Sequence, residues 1–117
     1  MSIKRINPGA RYSSVVVHNG TAYLAGQVAK ATAGKSVAEQ TTEVLGLIDA
    51  ALASAGTNKS KLLLVNIYLS DISTFAEMNK AYDAWVDKQN MAARVTVEAK
   101  IANPLENIEV SAIAAVD

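Results

Sequence analysis

Two charged side chains stand inside otherwise apolar strand patterns, and they are the first candidates for chemistry. Arg94 lies in "ARVTVEAK" (93–100), where Ala93, Val95, Val97 and Ala99 alternate with Arg94, Thr96, Glu98 and Lys100. A period of two marks a half-buried β-strand. A guanidinium is a rigid fork that grips a carboxylate through two hydrogen bonds. Glu109 stands in "NIEVSAIAAV", between Ile108 and Val110. A partly desolvated carboxylate there could hold a water molecule or carry a proton. The readings that stay open are a structural ion pair, charges at a wet sheet edge, or a ligand-binding arginine with a separate acid–base group. Tyr12 could offer a phenol to a pocket or simply pack. Asn79, set among apolar helix positions, could cap a strand end or reach a pocket. Gly26 in "YLAGQV" marks a bulge or a close approach to the backbone. Glu98 and Lys100 read as solvated or interface charges, and His18 as a solvated hairpin residue.

Composition narrows the chemistry. The chain has 117 residues, the size of one domain, and half of them are hydrophobic. It has no cysteine, so disulfides, thiolate catalysis and Cys-based metal sites are excluded. With one histidine, His18, neither a His-rich metal site nor a Ser-His-Asp triad is expected. The candidate residues include no metal ligands. Eleven basic residues balance eleven acidic ones, which gives no electrostatic case for nucleic acid or an anionic membrane. "MSIKRINPGAR" lacks an apolar signal-peptide core, and no apolar run has the length of a membrane span. The expectation is a soluble cytoplasmic protein.

The elements that must carry these residues follow from pattern. "IKRI" before Asn7-Pro8-Gly9 reads as a short edge strand. "SSVVVH" (13–18) and "TAYLAGQ" flank Asn19-Gly20, a hairpin signal because both turn positions need φ > 0. Ser36 and Glu39 form a capping box ahead of a helix over 36–55, which Gly56 stops. "KLLLVNIYLS" (61–70) reads as an interior strand, with Leu63, Val65, Ile67 and Leu69 in one row. Thr74 and Glu77 repeat the capping pattern before a helix over 74–88, with Phe75, Met78, Tyr82 and Trp85 as its core stripe. Strands at 93–101 and 107–115 finish the chain around the Asn103-Pro104 turn. The order ββ-α-β-α-ββ predicts an α+β fold: a mixed sheet with both helices on one face. The other face carries Val, Ile and Leu beside polar groups, so it is expected to pack against another subunit.

Several segments resemble the RidA/YjgF family of reactive-intermediate deaminases. "YLAGQV" is similar to that family's S-G-Q strand. "EQTTEVLGLIDAALASAG" (39–56) resembles its first helix, and "VNIYLSDISTFAEMN" (65–79) its strand, Asp turn and second helix start. "AARVTVEAKI" (92–101) resembles its P-A-R-x-x-V strand, and "IEVSAIA" (108–114) its closing strand. The resemblance implies a chorismate-mutase-like fold and a homotrimer with clefts between subunits. It implies hydrolysis of enamine and imine intermediates, of the 2-aminoacrylate and 2-iminoacid type, to 2-ketoacids and ammonia, with no metal and no cofactor. Arg94 would bind the substrate carboxylate and Glu109 would position or activate water. Tyr12, Gly26, Asn79 and Thr96 would line the cleft. The chain departs from the family pattern at Ala25 (commonly Ser), Arg11 (commonly Pro), Ala92 (commonly Pro) and Thr96 (commonly Cys), which marks a divergent subgroup. The lost hydroxyl at 25 motivates an alternative: a non-catalytic protein that binds a 2-ketoacid or similar metabolite in the same clefts. RNA cleavage, claimed for some relatives, finds little support in the balanced charge.

Overall fold

A computed structural model describes residues 2–117. Six strands form one sheet in the order β1-β2-β3-β6-β4-β5. The strands are β1 (Lys4–Pro8), β2 (Ser13–His18), β3 (Thr21–Val28), β4 (Leu62–Leu69), β5 (Ala93–Glu98) and β6 (Ile108–Ala115). The helices are α1 (Val37–Ser54) and α2 (Phe75–Trp85). Asn19 and Gly20 both take positive φ, 52° and 73°, and join β2 to β3 as the Asn-Gly signal requires. β6 comes home last, into the slot between β3 and β4, antiparallel to both. Only β4 and β5 pair in parallel, joined by the α2 crossover.

The helices share one face, and the core lies beneath them. Val65, Ile67 and Leu69 of β4 point there with Ile108, Val110, Ala112 and Ala114 of β6. Val44, Leu45, Ile48 and Leu52 of α1 close over them. Each fully buried aliphatic side chain of this kind contributes roughly 1.5–3 kcal/mol by leaving water. Ser36 caps α1 as expected: its Oγ accepts from Glu39 N at 3.2 Å and donates to Glu39 Oε1 at 3.0 Å.

Several local expectations need correction. The second capping box does not form. Thr74 Oγ1 donates to Asp71 O at 2.6 Å, and Glu77 Oε2 instead accepts from Ala38 N at the start of α1, at 2.9 Å. A 3₁₀ turn over Ile72–Thr74, closed by the Asp71 side chain, does the work of starting α2. α2 stops at Trp85, where Lys59 Nζ donates to the Trp85 carbonyl at 2.6 Å, and β5 stops at Glu98. A register shift between Leu62 and Leu64 puts Leu62, and not Leu63, in the buried row of β4. Phe75 is not core: it is 40% exposed, whereas Met78 and Tyr82 are buried.

Candidate functional site

Strand register places Arg94 and Glu109 on opposite faces of the sheet. Arg94 pairs with Val65 and Glu109 pairs with Tyr68. Val65 and Tyr68 are three residues apart on β4, and side chains alternate along a strand. Val65 is buried beneath the helices. So Arg94 faces the helix layer and Glu109 the open face. The reading of the two as an ion pair within one chain is therefore excluded. The ion pair found among the described residues joins Lys61 to Asp117.

On the helix side, Arg94 lies at the edge of the sheet against α2. Its guanidinium carbon sits 4.8 Å from the Tyr82 ring centroid and 5.7 Å from that of Phe75. Two rings at this range hold the plane of the fork by cation–π attraction, about 0.5–2 kcal/mol each depending on exposure. Burial pushes the Tyr82 phenol above its ordinary value; the Arg94 charge opposes that rise and Asp83 adds to it. Arg94 donates to no carboxylate in an ion pair among the described residues. It lines a shallow cavity of about 220 Å³ with Tyr82, Asp83, Val86, Met91 and Ala92, and forms no ion pair with Asp83. Asn79 lies between Phe75 and Tyr82 at helical spacing, so it shares their face. Thr96 follows Arg94 in the same row of β5. Asn79 Oδ1 and Thr96 Oγ1 are both buried and have no hydrogen-bond partner among the described residues. A buried polar atom left this way costs about 1–3 kcal/mol unless a water or a ligand meets it.

The open face holds the other half. Tyr12, Ala25, Gly26, Ile101, Glu106 and Glu109 line a cavity of about 460 Å³. A second cavity of about 300 Å³ adjoins it and shares Gly26, Ile101 and Glu109, adding Tyr68, Lys100 and Ser111. Gly26 resolves both earlier options. The register between β3 and β6 shifts between Leu24 and Gln27, so a bulge is present. The close approach is also present, and it is made by the acid itself. A Cβ at position 26 would overlap Glu109 Oε2 and lie 3.0 Å from its Cδ. Glycine here is the room in which the Glu109 carboxylate sits.

Pattern reading missed two residues. Glu106 is only 6% exposed, and it lines the larger cavity. Gln40 is fully buried within the apolar stripe of α1. Its Nε2 donates to Lys35 O at 3.0 Å and to Leu105 O at 3.1 Å, and its Oε1 accepts from Asn107 N at 2.7 Å. This one amide clamps the turn that carries Glu106. An amide among helix core positions is the signal that could have found the clamp, because a buried amide must be bonded. Nothing marked Glu106 beyond its place next to β6.

Among the described residues, no group of three His, Asp or Glu side chains is placed to hold a metal ion. No described helix is long and apolar enough to cross a membrane.

Comparison with known proteins agrees with this architecture. The sequence model of the family described as Endoribonuclease L-PSP matches residues 2–116. A RutC family protein of Haemophilus influenzae is 49% identical over 97% of this chain and 98% of its own length. The RutC family protein YoaB of Escherichia coli is 44% identical, covering 99% of this chain and 100% of YoaB. The crystal structure of NMB1025, a YjgF family member from Neisseria meningitidis, superposes with a TM-score of 0.95 at 39% identity, over 100% of this chain and 97% of that one. A mixed six-stranded sheet backed by two helices, with near full-length matches in sequence and structure, places the chain in the RidA/YjgF family, also called the RutC or L-PSP family.

Proposed function

We propose that the protein hydrolyses 2-iminoacids and their enamine tautomers to 2-ketoacids and ammonia, in sites shared between copies of the chain. The observation that carries this reading is Arg94: a half-buried guanidinium set against two rings that forms no ion pair with any carboxylate among the described residues, Asp83 of its own cavity included. Such a group is completed by a small organic acid. The buried Asn79 and Thr96 oxygens, on the same side of the sheet and without a partner among the described residues, add support. The other support is Glu109, whose carboxylate fills the space above Gly26 and opens on a cavity with Tyr12.

Since Arg94 and Glu109 lie on opposite sheet faces, one chain offers two half-sites. A homotrimer, with the open faces turned inward, brings Arg94 of one copy towards Glu109 of the next. The chemistry then needs little. Arg94 holds the substrate carboxylate by two hydrogen bonds. Glu109 takes a proton from a water molecule as it adds to the imine carbon. That proton passes to nitrogen to give a carbinolamine; its hydroxyl then gives up its own proton, which also goes to nitrogen, as the C–N bond breaks and ammonia leaves a 2-ketoacid behind. Orientation supplies much of the acceleration, and exclusion of bulk water strengthens the Arg–carboxylate pair.

The test is the disappearance of iminoacids generated in situ by an amino-acid oxidase, with semicarbazide trapping what remains. Wild type should accelerate disappearance, and Arg94→Ala should not. Equal rates for the two proteins would remove the assignment. Ala25 favours a second reading, since it lines the Glu109 cavity without a hydroxyl. A metabolite-binding protein would show a saturable thermal shift with 2-ketobutyrate and no turnover of any iminoacid.

A further inference from the structure

We infer that Glu106 makes the open-face cavity selective for substrates that carry a cationic side chain, an ammonium or guanidinium, and set against acidic ones. The inference rests on the deaminase reading for its kinetic arm and stands on binding alone for the other.

Glu106 is a built feature. The residue is 6% exposed, and its side chain accepts no hydrogen bond from any described residue. Its neighbours on both sides are fixed: the Leu105 carbonyl accepts from Gly34 N at 2.8 Å and from Gln40 Nε2, and the Asn107 amide donates to Gln40 Oε1. Its own amide donates to Asn103 O at 3.0 Å, closing the turn. A side chain on a turn held this firmly has little freedom to leave the cavity it lines. A carboxylate on a largely buried residue, with no partner among the described residues, is completed by whatever donor or cation enters the cavity beside it.

Glu109 lines the same cavity. Two carboxylates in one partly enclosed space repel a third and attract a positive group. Lys100 lines the adjoining cavity, and Arg11 lines another beside Tyr12; neither forms an ion pair with Glu106 or Glu109. Arg94 faces the other side of the sheet, so within one chain it does not neutralise them. The division of labour is then clear. Arg94 of one copy recognises the carboxylate common to all 2-iminoacids, Glu109 attends to water, and Glu106 reads the far end of the substrate.

The experiment compares imines generated from arginine and from glutamate, with wild type and Glu106→Gln. Wild type should favour the arginine-derived imine in kcat/KM by about tenfold or more, and Glu106→Gln should shrink that ratio severalfold, mainly through KM. A binding arm uses the stable ketoacids 5-guanidino-2-oxopentanoate and 2-oxoglutarate in calorimetry. Wild type should prefer the first, and the variant should lose the preference. Turnover of imines with no charge preference would overturn this inference and leave the deaminase reading intact. A charge preference in binding with no turnover would do the reverse. Because the wild-type ratio alone can overturn the inference, a poorly folding variant would not shelter it.

Discussion

The two faces of the sheet are built to different rules. Beneath the helices, Val65, Ile67, Leu69, Ile108 and Val110 are buried within a single chain. On the open face, Val95 and Val97 are 49% and 41% exposed, next to Glu109, Tyr68 and Ser111. β5 even inverts the usual arrangement, sending Arg94 and Thr96 towards the helices and its valines outward. A strand that hides its charge and shows its valines is shaped for a second surface. The covered face accounts for the fold of one chain; the open face, with its acid and its exposed valines, is consistent with an assembly.

The sharpest way to break that comparison is subunit mixing. Arg94→Ala and Glu109→Gln should each lower imine turnover by a factor of about 100 or more. Oligomers assembled from both variants together should regain a measurable fraction of activity, because some sites join an intact Glu109 to an intact Arg94. Mixed oligomers as inactive as either parent would place both groups in one chain's site, against the register observed here. A stability pair comes next. Ile67→Ala, on the covered face, should cost about 2–5 kcal/mol in denaturant unfolding. Val97→Asp should instead reduce the mass seen by light scattering, and unchanged mass would show that the open face is not an interface.

Gly26→Ala should have a more selective effect. The new methyl collides with the end of a flexible side chain, so Glu109 moves and the fold remains. Turnover should fall about tenfold with little change in melting temperature. A variant with full activity would show that the position of that carboxylate is unimportant. The smallest effect belongs to Glu43. Its carboxyl is held below its ordinary value chiefly by the Thr32 hydroxyl, with the Ala31 and Thr32 amides adding to that. A depressed folded pKa gives stability that is present above the unfolded value of about 4.3 and lost as pH falls through the folded one. Glu43→Gln should therefore be slightly less stable at neutral pH and should lose less on acidification. Parallel acid profiles for the two proteins would contradict this.

Local signals carried much of the fold. Asn19-Gly20 and Ser36 with Glu39 are short-range devices whose partners lie within a few residues, so their geometry could be read directly. The slot that β6 fills between β3 and β4 is a nonlocal choice, invisible in any window of sequence. The Leu62–Leu64 shift swapped one leucine for another in the core row, and apolar pattern does not distinguish such neighbours. Thr74 and Glu77 had capping spacing, but Asp71 and Ala38 N offered those groups better partners. Family resemblance named Arg94, Glu109, Tyr12, Gly26, Asn79 and Thr96 together. It did not reveal that Arg94 and Glu109 fall on opposite faces of the sheet, since alternation along a strand says which residues share a face and not which face is covered.

Gln40 ties three segments to one another: the start of α1, the Lys35 carbonyl before it, and the 103–107 turn. In a hydrogen-exchange experiment these segments should therefore open as one unit. The Asn107 amide, although it belongs to a surface turn, should exchange as slowly as amides in the first turns of α1. The rim of the cavity would then inherit the stability of the helix behind it.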